Sequence, residues 1–171
     1  MVNRRALTID LGGTNTRLGL FQNSNLEKLI VYDTPKTPEQ FIERLETELA
    51  NENISSIAVG AAGYWDKNQI LKQSINLPLY VNYPLWVKIS ELIAKPVLLR
   101  TDVELAAMGE AIYGLKNQFT NVLYINIGTG FSAGLYKDGE IFSTEYSPAL
   151  RLSFTTTAQS LKDSEHHRRD G

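Results

Sequence analysis

The sequence contains no cysteine, which excludes disulfides, iron–sulfur clusters and thiolate zinc sites in this chain. Histidine occurs only as His166 and His167, adjacent in a polar stretch where no carboxylate or thiolate cluster is spaced to complete a metal site, so no zinc site is recognisable. An excess of one charge is missing too. The net charge is −2, and no basic tract is interleaved with aromatics, so the electrostatic footprint of a nucleic-acid binder is lacking. Nor is there a long apolar run: the stretch after Arg4 and Arg5 is interrupted early by Asp10 and two glycines, so neither a signal-peptide core nor a membrane span is expected. A cytoplasmic location is the default expectation. What is present is ordinary globular material, with 171 residues and 43% hydrophobic content, enough for one domain or a piece of a larger one.

The most informative stretch runs from Ala6 to Phe21, ALTIDLGGTNTRLGLF. Leu7, Ile9 and Leu11 alternate into a turn, and Leu18 and Leu20 alternate out of it, so both halves read as strands. Between them, Gly12 and Gly13 leave no side chain to block a ligand, while successive peptide N–H groups and the Thr14 hydroxyl, with Asn15 beside it, can converge on an anion. A plain hairpin is the competing reading. Asp10 favours the phosphate loop, because a carboxylate at such a mouth repels phosphate unless a divalent cation lies between them; the combination suggests Mg²⁺ with a nucleotide.

Further along, Leu26 to Asp33 reads as a third antiparallel strand. Thr37-Pro38-Glu39-Gln40 carries the signals of a helix start, and Phe41, Ile42, Leu45 and Leu49 form its apolar stripe. Residues 55–62 read as a buried strand ending in the small residues Gly60 to Gly63, and residues 70–73 as a short strand or loop. Leu85, Trp86, Ile89 and Leu92 indicate a second helix, residues 96–99 a further buried strand, and Leu105, Met108 and Ile112 a third helix ending at Gly114. Trp65, Tyr80 and Trp86 read as core or cleft-wall aromatics, with sugar stacking as a minor alternative. The order β-β-β-α-β-α-β-α implies an α/β fold with a mixed sheet and helices on both faces, with a ligand cleft along one sheet edge.

Asn121 to Phe142 repeats the opening architecture: Leu123, Ile125 and Ile127 lead into Gly128-Thr129-Gly130, and a tight turn follows at Lys137-Asp138-Gly139. This is a second phosphate-loop candidate. From Ser143 onward the periodicity fails, and residues 143–171 read as a loosely ordered tail. Asp102 is the catalytic candidate. It suits a helix start, with Thr101 and Glu104 forming a capping box, but it also ends a central strand, where a carboxylate could accept the proton of a substrate hydroxyl attacking a γ-phosphate.

These residues together resemble the ROK family of sugar kinases and sugar-responsive repressors: Ile9 to Arg17, Gly60 to Gly63, Asn76-Leu77-Pro78, Asp102 with Leu105 to Glu110, and Ile127 to Gly130. The resemblance implies the RNase-H-like, actin-like ATPase fold, with ATP and Mg²⁺ phosphorylating a hexose in a cleft between two domains. It places residues 1–117 in the first domain, 118–142 at the start of the second and 143–171 in a divergent tail. By the same resemblance, Asp10 organises Mg²⁺ through phosphate or water, and Gly12, Gly13, Thr14 and Asn15 form the first phosphate loop. Gly128, Thr129 and Gly130 form the second, Gly63 lines the sugar site, Thr101 and Asp102 meet the sugar, and Asp102 is the general base.

Three departures qualify the resemblance. The family usually has asparagine before the base and often another two residues after it, where this chain has Thr101 and Glu104, so an unusual or weakly bound sugar is expected. The family's later glutamate and histidine sugar ligands and its His/Cys zinc site are not recognisable after Phe142. The adenosine-binding part belongs to the same unmatched half. Weak or absent turnover is therefore expected, as is self-association through a hairpin lacking the sheet it should join. A non-catalytic sugar-binding or regulatory module and an inert fragment stay open as alternatives. A DNA-binding repressor is disfavoured, since only about five residues precede the first loop, too few for a helix-turn-helix.

Overall fold

The computed structural model describes residues 5–127 and 131–142. Strands β1 (Arg5–Leu11), β2 (Asn15–Gln22) and β3 (Asn25–Asp33) pair antiparallel in succession. The β2–β3 turn is a two-residue hairpin with Asn23 and Ser24 both at positive φ, which matches the twist of the strands it joins. Helix α1 (Pro38–Leu49) starts as the sequence predicts: the Thr37 hydroxyl accepts the Gln40 N–H at 3.4 Å, and Pro38 occupies the first turn, where no N–H is needed.

The chain returns through β4 (Ile54–Ala61), which lies parallel to β1, and then forms a small hairpin of β5 (Tyr64–Trp65) and β6 (Leu71–Gln73). A short 3₁₀ turn over Pro78–Tyr80 leads to α2 (Leu85–Ile93), β7 (Val97–Arg100) and α3 (Asp102–Gly109). The third helix was expected to run to Gly114; instead its last turn, Glu110–Gly114, widens to π geometry. Three further strands, β8 (Asn121–Ile127), β9 (Phe131–Lys137) and β10 (Glu140–Phe142), follow.

The main sheet has the order β3-β2-β1-β4-β7, with β4 and β7 parallel to β1. Its alternation creates two faces. Leu7, Ile9, Leu11, Leu18 and Leu20 point into the principal core with Phe41 and Leu45 of α1 and Leu85, Trp86 and Ile89 of α2. Thr8, Asp10 and Gly60, the register partner of Asp10, belong to the other face, where Leu105 of α3 covers Gly60 so closely that a Cβ there would lie 2.8 Å from Leu105 Cδ1. Helices therefore lie on both faces, as the element order implied.

The second sheet, β10-β9-β8, corrects the expectation of an unsupported hairpin. Val122 and Tyr136 pack against Ala107 and Ala111 of α3 and its π turn, with Met108, Ile112 and Leu115 around them. Burial of each large side chain in this cluster contributes about 1.5–3 kcal/mol. The turn at Asp138 and Gly139, both at positive φ, closes β9 onto β10 as the sequence predicts. On the opposite face Leu123, Ile125 and Ile127 are exposed, Ile127 by 79%. Gly128, Thr129 and Gly130 and residues 143–171, with His166 and His167, lie outside the described residues.

Candidate functional site

Because β1, β4 and β7 are parallel, their C-terminal ends share one sheet edge. Gly12 to Thr14 follow β1, Ala62 and Gly63 follow β4, and Thr101 and Asp102 follow β7. With β4 between them, the axes of β1 and β7 stand about 10 Å apart, enough to place a phosphoryl group and its acceptor between the two loops. The fold thus gathers Asp10, the first glycine turn, Gly63 and Asp102, which the sequence spreads over more than ninety positions.

The glycine turn is pinned from one side. The Gly12 N–H donates to the Asn15 carbonyl at 3.2 Å, the Thr34 hydroxyl donates to the Gly12 carbonyl at 2.7 Å, and the Thr34 N–H donates to the Thr14 carbonyl at 2.8 Å. Thr34 Oγ1 also lies 3.0 Å from Thr16 Oγ1, a buried hydroxyl. These bonds leave Gly13 and Thr14 exposed at the tip. A Cβ on Gly13 would overlap Asn76, lying 3.1 Å from its Cγ, so the irregular segment at residues 76–78 is brought against the loop. Sequence reading gave Thr34 no role; its position just after the third strand, which pairs back toward the glycine turn, is the signal that could have found it.

Asp10 sits on the α3 face of the sheet, in register with Arg17 on β2 and Gly60 on β4. Its Oδ2 accepts from Arg17 Nη1 at 2.8 Å, and both side chains are half exposed. Arg17 thus balances the charge of Asp10 from the neighbouring strand. Pairing residues outward from the Gly12–Asn15 turn puts 10 opposite 17, so this partner was legible in the sequence. Mg²⁺ is held by one or two carboxylates completed by phosphate oxygens and water. Asp10 offers one such carboxylate, and among the described residues no group of three or more His, Asp or Glu could hold a metal. The donor set fits a cation that arrives with nucleotide phosphates.

Gly63 has φ +128°, a conformation that side chains disfavour, and a Cβ there would overlap Leu71 and lie 3.2 Å from the Gln73 carbonyl oxygen. Trp65, two residues on, donates its indole N–H to the Ala61 carbonyl at 3.4 Å and packs against Trp86 with ring centroids 5.7 Å apart and planes tilted by 44°. Both indoles are buried, as is Tyr80, whose hydroxyl donates to the Pro35 carbonyl at 2.7 Å. These three aromatics are core residues.

Asp102 is exposed, and its Oδ1 accepts the Val103 N–H at 3.0 Å. Thr101, expected at the sugar, is only 4% exposed. Its N–H and its hydroxyl both donate to Glu104 Oε2, each at 2.9 Å. Thr101 therefore faces inward, bonded into the turn that carries Asp102. The second sheet reaches the same turn: a Cβ on Gly134 of β9 would lie 2.6 Å from the Val103 carbonyl carbon and 2.9 Å from the Glu104 nitrogen. The strand after the second glycine loop thus rests directly on the helix start that presents Asp102.

A mixed five-stranded sheet of this order, with helices on both faces and functional loops at one edge, defines an RNase-H-like domain of the actin-like ATPase fold. The chain belongs to the ROK family, whose model matches residues 6–145. It is 27% identical over 152 residues to an N-acetyl-D-glucosamine kinase from Haemophilus influenzae, covering 84% of this chain and 50% of that protein. It is 29% identical over 146 residues to an N-acetylmannosamine kinase from Vibrio cholerae, covering 80% and 49%. Among solved structures, the ROK hexokinase from Thermus thermophilus superposes with a TM-score of 0.70 at 26% identity, covering 82% of this chain and 49% of that one. The chain spans about half the length of the curated relatives it matches.

Proposed function

We propose that this chain supplies one wall of a cleft in which ATP phosphorylates a hexose hydroxyl. The observation that carries the reading is the gathering of the Asp10–Asn15 turn and Asp102 at one sheet edge, about 10 Å apart by strand spacing. Gly12, Gly13, Thr14 and Asn15 form the first phosphate loop: Gly12, whose own N–H is taken by the Asn15 carbonyl, sets the turn, and the N–H groups beyond it hold the phosphate. Asp10 takes the Mg²⁺ that accompanies ATP, the ion neutralising charge on the transferred group. Gly63 borders the sugar, and Gly128, Thr129 and Gly130, which lie outside the described residues, are the second phosphate loop of this reading.

Asp102 acts as general base. An exposed carboxylate beside the sugar accepts the proton of the attacking hydroxyl as the oxygen bonds to the γ-phosphorus, and ADP leaves. In the complex a sugar hydroxyl replaces water as the donor to this carboxylate. The kinases named among the relatives act on N-acetylated hexosamines, and the hexokinase neighbour on a hexose, so the sugar class proposed is hexose or hexosamine.

Isothermal titration of the chain with ATP·Mg²⁺ and with a panel of hexoses tests the reading. Both ligands are expected to bind, and Asp10→Ala is expected to weaken ATP·Mg²⁺ by at least about tenfold, the scale of one lost charge-assisted contact, without changing hexose affinity. Absence of binding by either ligand would reject the proposal.

A further inference from the structure

We propose that Glu104 is a positioning residue for Asp102: it fixes the Thr101–Asp102 turn from beneath, so that the base carboxylate meets the sugar in one orientation. Glu104 is 1% exposed, and both of its Thr101 contacts fall on a single oxygen, Oε2. Its other oxygen, Oε1, is buried with no hydrogen-bond partner among the described residues. A helix cap does not require this. An ordinary capping-box glutamate takes one backbone N–H and can keep its outer oxygen in water. Burying a carboxylate with one oxygen unsatisfied opposes folding, so the arrangement gives up stability for something other than helix initiation.

What it secures is the turn ahead of the base. With the N–H and the hydroxyl of Thr101 tied to the same oxygen, neither the peptide plane nor the side chain of Thr101 can rotate without breaking a bond. Asp102 is the next residue, and the peptide that joins it to Thr101 is held from its other end, where the Leu105 N–H donates to the Thr101 carbonyl at 3.1 Å, so the backbone carrying the carboxylate is restrained on both sides of Thr101. β9 adds a second restraint, since the lack of a side chain on Gly134 lets its backbone press on the Val103 carbonyl and the Glu104 nitrogen.

The inference rests on the reading of Asp102 as the group that meets the hexose hydroxyl. A double-mutant cycle measured as hexose affinity by titration separates the two. Glu104→Ala is expected to weaken hexose binding about tenfold and Glu104→Gln, which keeps one acceptor oxygen, no more than about threefold, with ATP·Mg²⁺ affinity unchanged in both. In an Asp102→Ala background the same substitutions are expected to change hexose affinity by less than about twofold, because their effect passes through the missing carboxylate. If Glu104→Ala does not fold, the Glu104→Gln arm carries the same comparison. Additive effects, or an equal loss of ATP·Mg²⁺ affinity, would overturn the positioning role while leaving the kinase reading intact. No hexose binding by the unsubstituted chain would overturn both.

Discussion

Gly134→Ala probes the contact between the second sheet and the turn that carries Asp102. The added Cβ would lie 2.6 Å from the Val103 carbonyl carbon and 2.9 Å from the Glu104 nitrogen, both backbone atoms that cannot swing aside. Restoring van der Waals separation requires β9 and the start of α3 to part by about 1 Å. Overpacking of this kind costs about 1–3 kcal/mol, offset in part by the roughly 0.4–1 kcal/mol that alanine contributes by restricting the unfolded chain. A net loss of about 1–2 kcal/mol lowers a urea midpoint by roughly 0.5–1 M when m is about 2 kcal/mol/M. The same 1 Å displacement moves Asp102 relative to the phosphate loop, so hexose affinity should fall with stability. Gly109→Ala is the control. No atom lies within 4 Å of a Cβ at Gly109, and it stands at the end of α3, so it is expected to be neutral or stabilising by up to about 1 kcal/mol. A Gly134→Ala midpoint equal to or above that of the unsubstituted chain would refute the proposed docking of the second sheet.

Two more outcomes can be checked on the same protein. Burial pushes the Tyr32 phenol up to about 12, against a lowering by Arg44, whose guanidinium lies 5.2 Å from the ring centroid, and a raising by Glu48. Burial, with Tyr32 and Glu39 nearby, also raises Tyr80. Between about pH 10 and pH 12 the unfolded chain loses phenolic protons that the folded chain keeps, so stability should be level below pH 10 and fall through that window. Urea midpoints across the range measure this, and Tyr32→Phe should flatten the slope; a rise in stability would contradict the assignment. The exposed Leu123, Ile125 and Ile127 form an apolar row on the uncovered face of the second sheet. Sedimentation at increasing concentration is expected to show self-association that Ile125→Ser reduces, and a concentration-independent monomer would argue against it.

Much of the main sheet was legible because each strand carries its own pattern. Leu7, Ile9 and Leu11 declare period two, Thr37-Pro38 declares a helix start, and the small residues from Gly60 to Gly63 declare a crowded strand end. Asp10 and Asp102 were legible as candidates because acidic residues at the ends of strands in such a sheet face its cleft. Pairwise details were harder to read. Thr34 reaches Gly12 only through the β2–β3 pairing. Thr101 looked like a sugar ligand because it precedes Asp102. Its hydroxyl turns inward because Glu104, one helical turn on, is buried beneath it. Support for the second sheet was missed for a related reason: the partners of Val122 and Tyr136 are the small residues Ala107 and Ala111, which carry little apolar signal in a helix pattern. The widening at Glu110–Gly114 has no composition cue.

Transfer of label from γ-³²P-ATP to hexose, followed alongside hexose binding for the unsubstituted chain and Asp102→Asn, tests the central claim most directly. The account predicts slow but measurable hexose-dependent transfer by the unsubstituted chain, and loss of transfer by at least about a hundredfold in Asp102→Asn, the usual contribution of a general base, while hexose affinity stays within about threefold. Transfer by Asp102→Asn at the unsubstituted rate would contradict it.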